Sequence, residues 1–307
     1  MKYSIYRNQL DMFRSNSQGK TELRRIFGKK PVSYQDFLSM ATNQMLPPLS
    51  HDKAYMSRIL SEEMLWDECG TPVVFIENNA LANDLFSAEF DFENNFNVQP
   101  PFKSFALSFP KGTLVNGVEL TSCLVTIMPE REFIELYTEK SHFMCGLFQS
   151  IAPDGLCIHV HYESKHNVID SNFTHISALT ETLKKNAQEP LPNSSSDILD
   201  ALTRIALSLC VYNSATEGEK LIDGYPQSAV KLPRGRNKVA YKGLTMRAPE
   251  QNKSTGEARK IKHRIPFYRN LRAKRYYQGK YKDQKPGTRW VLVKEVDATN
   301  SMNTLLH

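Results

Sequence analysis

The chain has 307 residues, 40% hydrophobic and 23% charged, which is enough for a sizeable core in one large or two ordinary domains. The net charge of +6 is mild, the longest apolar runs, such as Ile205–Tyr212, are far too short to span a bilayer, and Met1-Lys2-Tyr3-Ser4 lacks the apolar core of a signal peptide. Five cysteines (Cys69, Cys123, Cys145, Cys157, Cys210) stand singly without a CxxC pair, so no disulfide framework or zinc ribbon is expected; the reading is a cytoplasmic protein, neither secreted nor membrane-bound.

Residues 1–70 read as a helical region. Ser33 is placed to cap a helix through Gln35-Asp36-Phe37-Leu38 and Met40–Met45 that Pro47-Pro48 stops. Ser50 opens a second helix, with Ile59, Leu60, Met64 and Leu65 at helical spacing and Gly70 as its terminator. From Pro72 the texture becomes strand-like. Val73–Ile76 reads as a buried strand, Ser104–Phe109 as a half-buried one, and Cys123–Met128, Phe143–Ile151 and Leu156–Tyr162 as further strands. Turns at Lys111-Gly112, Asn116-Gly117 and Asp154-Gly155 suit an antiparallel meander.

Thr174–Asn186 reads as a short helix. Ser195 or Ser196 then starts the strongest helix of the chain, where Ile198, Leu199, Leu202, Ile205, Ala206, Leu209 and Cys210 form a wide apolar stripe. Residues 215–262 are polar, then basic, and Pro226, Pro233, Gly235, Gly243, Pro249 and Gly256 exclude long regular elements there. Residues 263–307 form a basic aromatic segment in which Arg289–Val293 reads as a strand returning to the 71–214 core. The expected class is α+β, with a helical N-terminal part, a central antiparallel sheet, a long core helix and a basic C-terminal segment closing with a strand.

Charge is unevenly spread. Between Lys231 and Lys294, 20 Lys and Arg face three acids, a net +17, while the remainder carries 19 basic and 30 acidic residues, a net −11. Such asymmetry points to a polyanion partner for the basic part, or to contact between the two parts. Within Phe267–Lys282 the cations alternate with five aromatics. Arg269, Arg272, Lys274, Arg275, Lys280 and Lys282 supply phosphate contacts, and Tyr276 and Tyr277 supply planar faces for unpaired bases. RNA, DNA and an acidic protein all remain open as partners on this pattern, as does packing of the tyrosines onto the core.

Catalytic signals are sparse. His159-Val160-His161 puts two imidazoles on one face of a strand, but no third ligand at a recognised spacing completes a metal set, so surface or hydrogen-bonded strand histidines are the expectation. Phosphate-binding glycine loops, a GxSxG elbow and an HExxH pair are absent. Glu62-Glu63, and Asp200 with Glu181, read as solvated helix faces. No assembled nucleophile and base, metal or cofactor is expected, and the chain reads as a non-enzyme. A metal-dependent nuclease would rest only on scattered carboxylates and histidines.

The C-terminal motif Phe267-Tyr268-Arg269-Asn270-Leu271-Arg272 … Tyr276-Tyr277-Gln278-Gly279 … Arg289-Trp290 is similar to one recurring in phage and plasmid proteins. Together with Leu199-Asp200-Ala201-Leu202, Leu207–Val211 and Ala240–Leu244 upstream, it resembles the larger type V-A anti-CRISPR protein family. The family's Arg-Arg-Gly-His-Trp core stands here as Arg269-Asn270-Leu271-Arg272-Ala273, which keeps the first arginine. The resemblance implies suppression of an RNA-guided nuclease in the host cytoplasm, by recognition of its nascent N-terminal peptide coupled to loss of its messenger RNA. A host protein would be one partner and RNA or the ribosome another, with no membrane. The alternative is a nucleic-acid-binding regulator of a mobile element.

Overall fold

The computed structural model describes residues 3–43, 53–91, 98–141, 152–164, 169–179, 195–226, 241–248 and 267–293. Four helices come first. Asn8 caps α1 (Gln9–Ser15) by accepting from Asp11 N at 2.8 Å, and Asn16 caps α2 (Ser17–Phe27) by accepting from Gln18 N at 2.8 Å. Ser33 caps α3 (Tyr34–Asn43) reciprocally with Asp36: Asp36 N donates to Ser33 Oγ, and Ser33 N donates to Asp36 Oδ2. Helix α4 (Lys53–Glu68) runs into Gly70 at φ 82°, the left-handed geometry that ends a helix cheaply only at glycine. Leu10, Phe13, Leu23, Phe37, Leu38, Leu60 and Met64 make a small core of these helices.

Seven strands form the main sheet, in the order β8-β7-β6-β3-β1-β10-β9. They are β1 (Pro72–Ile76), β3 (Ser104–Ser108), β6 (Cys123–Pro129), β7 (Leu156–Glu163), β8 (Ile169–His175), β9 (Leu221–Asp223) and β10 (Lys242–Met246). The α+β class holds, but the expected antiparallel sheet is mixed, because β1 pairs parallel with both β3 and β10. The β1–β3 connection carries α5 (Asn79–Ser87), the crossover that parallel neighbours require. Strand β3 is buried along its whole length rather than alternating, since helices cover both sheet faces. The Asn116-Gly117 turn does close a hairpin, β4 (Leu114–Val115) with β5 (Val118–Glu119), both turn residues having positive φ.

Other expectations are redrawn. Thr174 and His175 end strand β8 and lead into a short 3-10 turn at Ile176–Leu179, not into an α-helix. Phe143–Ile151 and the remainder of Thr174–Asn186 lie outside the described residues. Glu130–Ser141, which carried no expectation, forms α6 against the sheet face that α4 also covers. The segment read as linker supplies β9 and β10, and β10 lies inside the sheet between β1 and the edge strand β9. Gly243 in β10 leaves room for a side chain laid over it: a Cβ there would sit 2.7 Å from the Tyr225 ring, which would have to move.

The opposite face carries α7 (Ser195–Ala215), which is buried on every side from Ala201 to Tyr212. Arg204 in α7 donates to the carbonyls of Phe86 and Ala88, so its charge meets the C-terminal end of α5. A second sheet, β12-β11-β2, ties the C-terminal segment to the strand that follows α5: β11 (Phe267–Leu271) pairs antiparallel with β12 (Arg289–Val293) and parallel with β2 (Glu89–Asp91). Trp290 of β12 is buried in the α7 core, as its size demands. No helix among the described residues is long and apolar enough to cross a membrane.

Candidate functional sites

Two places concentrate chemistry. The first is the basic C-terminal hairpin. Between β11 and β12 the chain makes two 3-10 turns, Lys274–Tyr276 and Gly279–Tyr281. Arg269, Lys274, Arg275, Lys280 and Lys282 are exposed, while Arg272 and Tyr276 are half-buried. The Arg275 guanidinium lies 4.9 Å over the Tyr276 ring and donates to its hydroxyl at 3.0 Å, and Arg289 stacks over the Tyr281 ring at 3.4 Å. Flat cation–aromatic pairs of this kind are suited to nucleotide bases and phosphates.

Two of the expected contact residues have other work. Tyr277 is buried, with its hydroxyl donating to Leu271 O and accepting from Gly287 N at 2.7 Å and Arg289 N at 3.1 Å. A ring enclosed in this way holds the hairpin shut and cannot stack on a base. Lys280 pairs with Glu217, just beyond α7, at 2.8 Å, and Tyr281 donates to the same carboxylate. The pair is exposed on both sides, so it orients Lys280 more than it stabilises the fold. Among the described residues, no carboxylate is within ion-pair distance of Arg269, Lys274, Arg275 or Lys282.

The second place lies between α4 and β7. Strand alternation sends Ile158 and Val160 into the α7 core and turns His159 and His161 towards α4. Glu62 and Glu63, expected on a solvated face, are instead completely buried, because the sheet, α3 and α6 enclose α4. His159 Nδ1 lies 2.6 Å from Glu62 Oε1, which also accepts from Tyr137 Oη at 2.5 Å. Tyr6 Oη bridges Glu63 Oε1 at 2.5 Å and His161 Nε2 at 2.8 Å, and Gln9 N donates to both Glu63 oxygens.

The electrostatics divide the two adjacent carboxyls. Burial pushes Glu63 up to about 8, against the hydrogen bonds from Tyr6 and Gln9 N. Burial acts on Glu62 in the same direction, but His159, His161 and Tyr137 outweigh it and hold Glu62 below the usual carboxylate value. His161 is lowered to about 3 by burial, so its approach to Glu62 is not an ion pair. Sequence displayed the two histidines on one face; it gave no sign that a helix about a hundred residues upstream brings Glu62 to them.

A third grouping resembles a nucleophile–base–acid line. His175 Nδ1 lies 3.4 Å from Cys157 Sγ, and His175 Nε2 lies 3.5 Å from Glu130 Oε1. Burial, then the Glu130 charge, raises the Cys157 thiol to about 12, and the residue is inaccessible, so the attacking thiolate is lacking. A cleft of about 350 Å³ beside β9 and β10 is lined by Glu77, Asp223, Tyr225 and Arg247 and takes in neither histidine group. Asp200 is exposed, and Glu181 lies outside the described residues. Compared with family models, curated proteins and solved structures, the chain has no match.

Proposed function

We propose that this chain is a target-binding protein of a mobile element, without catalysis of its own, whose C-terminal hairpin contacts RNA. The observation that carries the reading is the pairing of a rigid interior with a cationic exterior in one short module. Trp290 pins the hairpin to the body and Tyr277 holds it shut, while Arg269, Lys274, Arg275 and Lys282 face solvent. A surface set in advance loses little entropy when it meets phosphates. The Arg275–Tyr276 pair adds a flat platform for an unpaired base.

The likeness of the C-terminal motif to the larger type V-A anti-CRISPR family supports a host protein, such as the nascent chain of an RNA-guided nuclease, as the other partner in the host cytoplasm. In this scheme the hairpin would hold the chain at the ribosome or messenger RNA while the body meets the emerging peptide. Capture from a translating lysate, with and without ribonuclease, tests both halves. A nuclease peptide that stays bound after ribonuclease supports the protein target, and loss of every partner favours a nucleic-acid regulator instead. Changing Arg269, Arg272, Lys274 and Arg275 together to Ala should leave the fold intact. It should weaken RNA binding and flatten the salt slope by about 0.7 for each phosphate that is no longer neutralised. Wild-type affinity and slope in that variant would remove the RNA half.

A further inference from the structure

The Glu62–His161 gap is chemically unfinished. Glu62 Oε2 and His161 Nδ1 are both buried, both without a hydrogen-bond partner, and 4.0 Å apart. Tyr6 explains why they do not satisfy each other. If the single Tyr6 hydroxyl proton goes to Glu63, His161 Nε2 must carry the ring proton, and Nδ1 presents a bare lone pair to the Glu62 carboxylate. In the reverse arrangement Nδ1 carries the proton, but 4.0 Å is beyond hydrogen-bond reach. Both arrangements leave the two buried polar atoms side by side with no bond between them. His159 presents Nδ1 to the same carboxylate, and donor atoms of the three residues lie within 4.8 Å of one another.

We propose that Glu62, His159 and His161 hold a divalent first-row transition ion, with zinc the best match. Two imidazole nitrogens and one carboxylate oxygen suit zinc and its neighbours, whereas calcium and magnesium take oxygen donors. Tetrahedral bonds of about 2.0–2.1 Å place donors roughly 3.4 Å apart, so the Glu62–His161 pair needs to close by only about 0.6 Å. The outer groups are of the expected kind. Tyr6 holds the second nitrogen of His161, Glu63 holds Tyr6, and Tyr137 holds the second oxygen of Glu62. The three donors are fully enclosed and the described cleft does not take them in, so the ion is structural, fastening α4 to β7. This site is independent of the RNA reading.

The test uses the full chain expressed in zinc- or cobalt-supplemented medium and dialysed against chelator, with metal measured by plasma mass spectrometry. The expected result is about one ion per chain, falling at least about tenfold in Glu62→Gln and in His161→Gln. The cobalt form should show d–d absorption without a thiolate charge-transfer band. A folded wild-type chain free of metal, or equal retention in folded variants, overturns the proposal. If neither variant folds, the wild-type cobalt protein decides. A nitrogen- and oxygen-only spectrum, with a melting temperature above that of the chelator-refolded chain, supports the site. A thiolate band or absence of cobalt overturns it.

Discussion

Tyr277→Phe is the sharpest probe of the C-terminal hairpin because it removes one oxygen and leaves the ring. That oxygen serves Leu271 O, Gly287 N and Arg289 N, three backbone groups from the two ends of the connection between β11 and β12. An intramolecular hydrogen bond contributes about 1 kcal/mol net, and a buried group left unpaired costs about 1–3 kcal/mol. Water can reach part of this site, since two of the three bonds are only partly buried. The sum for the hairpin is therefore roughly 2–4 kcal/mol. Hydrogen exchange read on peptides within Phe267–Val293 should accelerate by about 30- to 1,000-fold, with the central sheet less affected. Tyr276→Phe is the control: its hydroxyl meets the exposed Arg275, and the expected cost is below about 0.5 kcal/mol. Exchange in Tyr277→Phe within about threefold of wild type would refute the idea that this hydroxyl locks the hairpin.

Ser33→Ala should cost about 1 kcal/mol by urea denaturation at neutral pH, through loss of the α3 cap. The Ser33 hydroxyl and N–H hold Asp36 below the ordinary value of 3.8, so the wild-type contribution is present above that value and lost as pH falls through the lower folded one; the variant should lack this acid-side loss. Ile205→Ala, inside the fully enclosed stretch of α7, should cost about 2–5 kcal/mol by the same assay, and a loss below about 1 kcal/mol would contradict the packing. Alkylation of the native chain should label the half-exposed Cys69 well before Cys123, Cys157 and Cys210, whose thiols burial raises; peptide mass spectrometry reads the order, and early labelling of Cys210 would contradict its enclosure.

Local signals in the sequence carried far. The Ser33 cap, the Gly70 stop, the Asn116-Gly117 hairpin, the α7 stripe and the burial of Trp290 each depend on neighbours a few residues away or on side-chain size. What depended on distant partners stayed hidden. Strand β10 is five residues long among prolines and glycines; its nearby partner β9 has only three residues, and β1, some 170 residues earlier, is what ties both into the sheet. Glu62 and Glu63 follow one another on a helix, so they cannot share a face, and two adjacent carboxylates usually mean solvent. Here α4 is covered from several directions, with Tyr6 and Gln9 N meeting Glu63, and His159, Tyr137 and, at 4.0 Å, His161 around Glu62. Tyr277 shows the same limit, since neighbouring tyrosines in a basic run look alike until one is enclosed by the strand that follows.

The place of β10 also sets an order of events during synthesis. Strand β1 leaves the ribosome early, but its second neighbour is not complete until Met246 has been made. At about 5–20 residues per second that interval is roughly 10–30 s, during which Val73–Ile76 has an unfilled flank. An open flank of four consecutive apolar residues is a template for pairing with any extended segment nearby. Strand β9, made before β10, must wait as well, because it touches the main sheet only through β10. The nascent chain thus passes through a long interval with an adhesive sheet, and Lys242–Met246 is the piece that ends it.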